Sequence, residues 1–110
     1  MADITVFGAG SWGSALAIHL SECGHDVTLW AHRQQTIDDM SSTRMVGDKL
    51  PGVRLPDNIK LSSNVRECAP NRDLLILAVP STAIRETAKL VWPYLAAGEI
   101  IVNASKGLED

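Results

Sequence analysis

The spacing of apolar positions predicts five β-strands along the chain. Short apolar runs occupy 3–7 and 26–30, and a weaker run occupies 59–63. The run "DLLILAVP" at 73–80 is apolar on both alternating faces, which is typical of a central parallel strand covered by helices on both sides. A fifth run, "EIIVNASKG", covers 99–107. We therefore expect a sheet with a buried centre.

Between these runs, apolar residues recur at helical spacing. The segment 11–22 has this spacing, and Gly24 follows it as a stop signal. The segment 33–44 is polar with a thin apolar stripe, which indicates a surface helix. Ser81 is placed to cap a helix over 82–95, whose pattern weakens toward its end.

The alternation of strands and helices predicts an α/β fold. We expect one domain over 1–110, with a doubly wound parallel sheet of the Rossmann type and the strand order 3-2-1-4-5. Ligands of such sheets bind beyond the carboxyl ends of the strands, where the first and fourth strands diverge. The segment 46–58 carries two prolines and a further turn glycine, and it predicts a loop of the length that is often functional.

Three glycines lie where the first strand meets the first helix, in "GAGSWG". Gly8 would allow a tight turn, Gly10 would let the backbone approach a pyrophosphate, and Gly13 would let the helix pack closely on the sheet. The helix N-terminus offers amides and partial positive charge to an anion. This pattern predicts a dinucleotide site, although glycines also cluster in ordinary turns.

The end of the second strand bears on which dinucleotide would bind. A carboxylate about 20 positions after the turn would bind the ribose hydroxyls of NAD. Arg33 stands there instead, and "WAHR" contains no carboxylate. A guanidinium can pair with the 2′-phosphate of NADP, with His32 as a second donor. Arg33 could also be an ordinary solvated residue, so the pattern favours NADPH and leaves NADH open. Trp12 could cover the cofactor or pack on the following loop.

Composition and charge narrow the class of partner. The net charge is −3, with 10 basic and 13 acidic residues and no basic block, so neither nucleic acid nor a membrane surface is indicated. Cys23 and Cys68 are isolated thiols without metal-ligand spacing, which fits a reducing, cytoplasmic setting. No signal peptide, membrane span or metal site is expected.

Five stretches together resemble one enzyme family. They are "GAGSWGSALA", "VTLWAHR", "LPGVRLPDNI", "DLLILAVPS" and "IIVNASKGLE", and the resemblance runs along essentially all 110 residues. In this order they are similar to the N-terminal half of bacterial NAD(P)-dependent glycerol-3-phosphate dehydrogenase. The resemblance implies interconversion of dihydroxyacetone phosphate and sn-glycerol 3-phosphate, which feeds glycerophospholipid synthesis. Lys49 departs from the pattern, because family members usually carry an aromatic residue before "LPG".

The resemblance also implies roles for individual residues. The expected cofactor contacts beyond the glycines are Ser11, Trp12, His32, Arg33, Pro80, Ser81 and Lys106, with Pro80 and Ser81 near the nicotinamide. Lys106 would also reach the substrate. A cation at a strand end can hold a phosphate or polarise a carbonyl oxygen, although a surface lysine after a buried strand is an equally plain explanation.

The family continues into a helical domain that carries the general acid, so no catalytic residue is assigned here. We expect the chain alone to be inactive, its partner to be a small-molecule substrate, and the intact enzyme to be a candidate homodimer. Two alternatives stay open. One is a non-catalytic dinucleotide-sensing module, and the other is a Rossmann-type dehydrogenase of the 6-phosphogluconate or hydroxyacyl-CoA type.

Overall fold

All five strands lie in one parallel sheet. The computed structural model describes residues 1–46 and 51–104. The strands are β1 (Asp3–Phe7), β2 (Asp26–Trp30), β3 (Lys60–Ser62), β4 (Leu74–Leu77) and β5 (Ile100–Asn103). Their order is β3-β2-β1-β4-β5. The predicted fold class and strand order are therefore confirmed.

The helices agree with the predicted pattern except around the fourth strand. They are α1 (Ser11–Glu22), α2 (Gln34–Thr43), α3 (Val65–Cys68) and α4 (Ile84–Val91). The sequence analysis missed α3, a single turn whose N-cap, Asn64, accepts a hydrogen bond from the Arg66 amide at 3.0 Å. Such a short helix has too few positions to show a helical period.

The prediction that Ser81 caps α4 is wrong. Residues Ser81–Ala83 form a 3-10 turn, because the Ala83 amide donates to the Pro80 carbonyl at 2.8 Å and tightens the chain there. The N-cap of α4 is Ala83, without a side-chain bond. A second 3-10 turn, Trp92–Tyr94, follows α4.

Alternation along the strands divides the core between the two faces of the sheet. Ile4, Val6 and Leu29 belong to one apolar cluster, and Phe7 and Trp30 belong to the other. The rings of Phe7 and Trp30 lie 5.5 Å apart in a tilted arrangement. Both faces of the central strands are buried, as predicted for the middle of a doubly wound sheet.

Polar side chains fasten the amino ends of the strands. The Asp3 amide donates to the Asp73 carboxylate at 2.8 Å. At the start of β5, the Glu99 carboxylate accepts from the amides of Arg72 at 3.1 Å and Ala96 at 2.5 Å. The side chains that tie strands together here thus lie at the end of the sheet opposite the predicted crevice.

The predicted loop is confirmed over its described part. Met45 and Arg54 form an isolated antiparallel bridge, and Leu55 and Ile59 are buried against the core. The Arg44 guanidinium donates to the Ile59 carbonyl at 2.9 Å. Residues 47–50, which include Lys49, lie outside the described residues.

β5 lies at one edge of the sheet and is exposed along its whole length. The exposed fractions of Ile100, Ile101 and Val102 are 60%, 40% and 43%. Within residues 1–46 and 51–104, no strand pairs with its outer edge. The apolar surface of β5 thus faces solvent.

Candidate functional site

The carboxyl ends of four strands form one level row. The register places Trp30, Phe7, Leu77 and Asn103 side by side across β2, β1, β4 and β5. The ladder continues one residue further, because the Gly8 amide donates to the Trp30 carbonyl at 2.9 Å. The segments that follow these strands therefore leave the sheet from fixed positions.

The glycine turn rests on close backbone approaches at Gly8 and Gly13. Gly8 has φ +127°, and a Cβ there would lie 2.5 Å from the Ala78 carbonyl oxygen of the adjacent strand end. A Cβ on Gly13 would lie 1.8 Å from the carbonyl oxygen of Gly8 itself. Both distances are shorter than any ordinary Cβ contact, so the turn and the start of α1 can pack this way only with glycine at both positions.

Gly10 differs from the other two glycines because it faces open space. A Cβ there would meet no protein atom within 4 Å, and its φ is an ordinary −75°. Gly10 is the N-cap of α1, whose first turn contains no acidic residue. The Ser14 amide makes the first intrahelical bond, to the Gly10 carbonyl at 2.9 Å. The helix thus presents its N-terminus to this space, as an anion site requires.

A cleft of about 560 Å³ opens at this point. That volume lies within the roughly 300–1,000 Å³ of small-molecule sites. The cleft is lined by seven of the residues expected to contact a cofactor, which are Gly8, Gly10, Ser11, Trp12, His32, Arg33 and Pro80. These residues come from three separate parts of the chain, and the fold brings them to one place.

Gly13 and Ser81, two further expected contacts, do not line the cleft. Gly13 is buried behind the turn and acts on its packing rather than lining the cleft. Ser81 is half-buried in the 3-10 turn and is not among the lining residues. Lys106 lies outside the described residues.

His32 and Arg33 follow β2 at the edge of the cleft. Both are exposed, and Arg33 is the N-cap of α2 without a side-chain cap bond. The His32 ring lies 6.0 Å from the Trp30 ring, which is buried beneath it. Asp26 begins the same strand and therefore lies at its opposite end. The guanidinium of Arg33 is thus placed where an anionic group of a ligand could reach it.

Trp12 lines the cleft and also contacts the backbone at the end of the sheet. It lines the cleft with 40% of its surface exposed, but its indole Nε1 donates to the Ala104 carbonyl at 2.5 Å. One of its protein contacts is therefore with the residue that follows β5.

One face of α4 completes the cleft, and the sequence analysis missed it. Ala83, Glu86, Thr87 and Leu90 line the cleft at helical spacing of three and four residues. This spacing was visible in the sequence and marks one side of the helix. Glu86 brings a carboxylate into the cleft although "WAHR" contains none. The other missed lining residues are Ala9, Trp30, Ala31, Thr36, Ala78 and Val79.

Other chemistry is limited in the part of the chain that the structure describes. No group of three or more His, Cys, Asp or Glu residues there could hold a metal ion. In the same residues, no helix combines the length and the apolar character that a bilayer crossing requires. Burial raises the pKa of the Cys68 thiol above its ordinary value and keeps it protonated.

Comparison with known proteins agrees with this architecture. A family model described as the N-terminus of NAD-dependent glycerol-3-phosphate dehydrogenase matches residues 3–110. A glycerol-3-phosphate dehydrogenase, NAD(P)+, of Fusobacterium nucleatum is 42% identical over 110 residues, which are 100% of this chain and 33% of that protein. One of Lactobacillus delbrueckii is 43% identical over 109 residues, which are 99% and 32%.

A solved structure adds agreement in three dimensions. The crystal structure of glycerol-3-phosphate dehydrogenase from Coxiella burnetii superposes with a TM-score of 0.88 at 30% identity, and the match covers 96% of this chain and 32% of that one. The chain thus spans about one third of the length of these relatives. The alternative of a 6-phosphogluconate or hydroxyacyl-CoA type is not supported. The chain belongs to the NAD-dependent glycerol-3-phosphate dehydrogenase family, within the N-terminal region of that family.

Proposed function

We propose that residues 1–110 are the cofactor-binding domain of an NAD(P)H-dependent oxidoreductase. The intact enzyme would interconvert dihydroxyacetone phosphate and sn-glycerol 3-phosphate and feed glycerophospholipid synthesis. The observation that carries this proposal is the glycine turn, in which Gly13 packs on the Gly8 carbonyl from behind and Gly8 itself lines the cleft. Membership of the family supports the same chemistry.

The pyrophosphate of the cofactor would lie over Gly10 at the start of α1. There the absence of a Cβ leaves room, and the first-turn amides supply donors and partial positive charge. Ser11 is exposed beside them and can add a hydroxyl donor. Gly8 and Gly13 serve by fixing the shape of this turn.

The preference would be for NADPH, with NADH as a second cofactor. Arg33 is an exposed guanidinium at the edge of the cleft, and His32 lies beside it. A guanidinium pairs with a phosphate through parallel hydrogen bonds, and it can stack on a base. The 2′-phosphate, which only NADP carries, is therefore the group that Arg33 would recognise.

The other expected contacts belong to the nicotinamide end. Pro80 lies exposed in the cleft beyond β4, and with Ser81 it would bound the nicotinamide. Lys106 would contact cofactor and substrate, where its charge could steady the carbonyl oxygen of the ketone. The bound nicotinamide would supply the hydride for the ketone carbon. We assign no catalytic acid to this chain.

Activity would need more than these residues. We propose that the general acid and the groups that grip the substrate lie in a helical domain, as in the family's overall plan. The 110-residue chain should then bind cofactor without turnover. The intact enzyme would be a cytoplasmic homodimer acting on small-molecule substrates, and its molar mass in solution would test the dimer.

Parallel titration of the chain with NADPH and NADH tests the proposal. Trp fluorescence quenching and energy transfer to the nicotinamide report binding, since Trp12 and Trp30 line the cleft. Tighter saturation with NADPH supports the proposal. Equal affinity removes the discriminating role of Arg33, and absent binding removes the cofactor site. Turnover of dihydroxyacetone phosphate by the chain would contradict the proposal that catalysis needs a helical domain. Cofactor binding that is coupled to a partner protein would instead support the non-catalytic sensing module.

A further inference from the structure

Two charged side chains of opposite sign line the cleft. Arg33 lines it from the end of β2, and Glu86 lines it from α4. Both side chains are exposed. Within residues 1–46 and 51–104, neither side chain forms a hydrogen bond or an ion pair, with the other or with a further residue. The guanidinium and the carboxylate therefore remain separate, and each is free to bind a ligand.

The packing of α4 places Glu86 on the side of the cleft where β2 ends. Val91 of α4 and Trp30 of β2 belong to the same apolar cluster, so α4 packs on the face of the sheet that carries the Trp30 side chain. Thr87, the residue after Glu86, is 5% exposed and lines the same cleft as Trp30. Burial of Thr87 fixes the helical turn that carries Glu86. Arg33 follows Trp30 by three positions, so both charges face the cleft from the region around Trp30.

The two charges favour different dinucleotides. NADP carries a 2′-phosphate on its adenosine ribose, and NAD has a hydroxyl in its place. A carboxylate accepts hydrogen bonds from ribose hydroxyls, whereas it repels a phosphate. In doubly wound sheets the carboxylate that binds the ribose of NAD follows the second strand, where this chain has Arg33. Glu86 supplies a carboxylate to the same cleft from a different element.

We propose that Glu86 is a specificity-determining residue that favours NADH and acts as the acidic counterpart of Arg33. Its carboxylate would accept hydrogen bonds from the ribose hydroxyls of NADH and repel the 2′-phosphate of NADPH. Arg33 has the opposite effect, so the balance of the two side chains sets the cofactor preference. This inference rests on the proposed function, because it takes a dinucleotide to bind in the cleft.

The affinities of Glu86→Ala for the two cofactors test this role. NADH binding should weaken by about tenfold, because hydrogen bonds to a charged acceptor are lost. NADPH binding should strengthen by about two- to fivefold at low salt, because a repulsive charge is removed. Fluorescence titration measures both affinities. A general packing defect would weaken both cofactors alike, so shifts in opposite directions separate selection from a structural effect.

Two further variants sharpen the test. Glu86→Gln should weaken NADH binding less than Glu86→Ala does, because its amide oxygen retains an acceptor. In a chain that already carries Arg33→Ala, the addition of Glu86→Ala should move the affinity ratio back toward NADPH. Glu22→Ala is the matched control, because it removes the same charge at the far end of α1, and it should leave the ratio unchanged.

The outcomes distinguish this role from the proposed function. If the chain binds both cofactors and Glu86→Ala leaves their affinity ratio unchanged, the selecting role of Glu86 is overturned and the proposed function stands. The same conclusion follows if Glu86→Ala weakens NADH and NADPH equally. If the wild-type chain binds neither cofactor, the proposed function is overturned, and the selecting role of Glu86 is overturned with it.

Discussion

The carbonyl oxygen of Gly8 occupies the place where a side chain of Gly13 would begin, 1.8 Å from an ideal Cβ position. The two residues are five positions apart, and they join the end of β1 to the first turn of α1. The obstructing atom belongs to the backbone of Gly8, so no change of side-chain rotamer can relieve the clash. The shape of the turn therefore depends on both glycines together.

Gly13→Ala should destabilise the chain strongly. The added methyl group forces the backbone of α1 away from β1, and overpacking of this kind costs about 1–3 kcal/mol. For a domain of this size, each 1 kcal/mol lowers the melting temperature by roughly 4–8 °C. Thermal or urea unfolding measures the loss.

Gly10→Ala is the matched control for this prediction, because its methyl group would meet no protein atom within 4 Å. Its stability should fall by less than about 1 kcal/mol, the usual range for an N-cap change. NADPH binding should nevertheless be lost, since the methyl group enters the space proposed for the pyrophosphate. A Gly10→Ala chain that is as unstable as Gly13→Ala, or that binds NADPH normally, would contradict this division of roles.

Arg33→Ala should weaken NADPH binding by about 10- to 100-fold, which corresponds to loss of a charge-assisted contact with the 2′-phosphate. NADH lacks this phosphate, so its affinity should change by less than about threefold on the same reasoning. Titration of both nucleotides measures the two effects. Arg85→Ala removes the same charge from an exposed site on α4 that does not line the cleft, and it should leave the NADPH to NADH ratio unchanged. A ratio unaffected by Arg33→Ala would refute the assignment.

Glu86→Gln should strengthen NADPH binding. The carboxylate lines the cleft and repels a ligand that carries several negative charges, and its removal should raise affinity by about two- to fivefold at low salt. The gain should shrink at high ionic strength, because exposed charges are screened. Glu22→Gln changes the same charge at the far end of α1 and should have little effect. Weaker NADPH binding in Glu86→Gln would indicate that the carboxylate holds the ligand instead.

The two thiols should differ in reactivity. Cys23 is exposed and should react with a thiol reagent in the native chain, whereas Cys68 is buried and should react only after unfolding. A count of one reactive thiol in the native state and two in denaturant is therefore expected, and Cys23→Ser should reduce the native count to none. If both thiols of the native chain reacted with the reagent at the same rate, the prediction would be contradicted, because the buried surface around α3 would have to open readily.

The raised pKa of Cys68 gives a pH dependence of known sign. Its folded-state pKa lies above the value of about 8.5 in an unfolded chain, so the stabilising contribution is complete below that pH. It is lost as the pH rises through the folded-state pKa, because the unfolded chain releases the proton first. Urea unfolding across this alkaline range measures the free energy of unfolding of the wild type and of Cys68→Ala. This free energy should fall more steeply with pH in the wild type. Parallel pH curves would contradict the assignment.

Much of the fold could be predicted because its signals are local and strong. The apolar run of β4 and the period of α1 each follow from burial, and the parallel order then follows from connection rules. The roles of Gly8 and Gly13 were also predictable, since a strand-to-helix turn at this spacing needs glycine.

The site was only partly predictable because its remaining contacts depend on tertiary packing. The cleft face of α4, with Glu86 and Leu90, has a visible period, but the period alone does not say what the face meets. The reach of Trp12 to Ala104 depends on the distance between β1 and β5, which no local pattern records. The 3-10 turn at Ser81 was not predicted for a similar reason. Serine is a favoured N-cap residue, and the sequence does not show that the Ala83 amide bonds to the Pro80 carbonyl.

The exposed edge of β5 also has a consequence for handling the chain in solution. An edge strand with apolar side chains offers a template on which a second chain can add, and its isoleucines and valine carry no charge that would discourage this. Self-association should therefore rise with protein concentration, independently of any native dimer. Light scattering across a dilution series will show the concentration below which the chain stays monodisperse, and binding constants measured in that range will describe the single molecule.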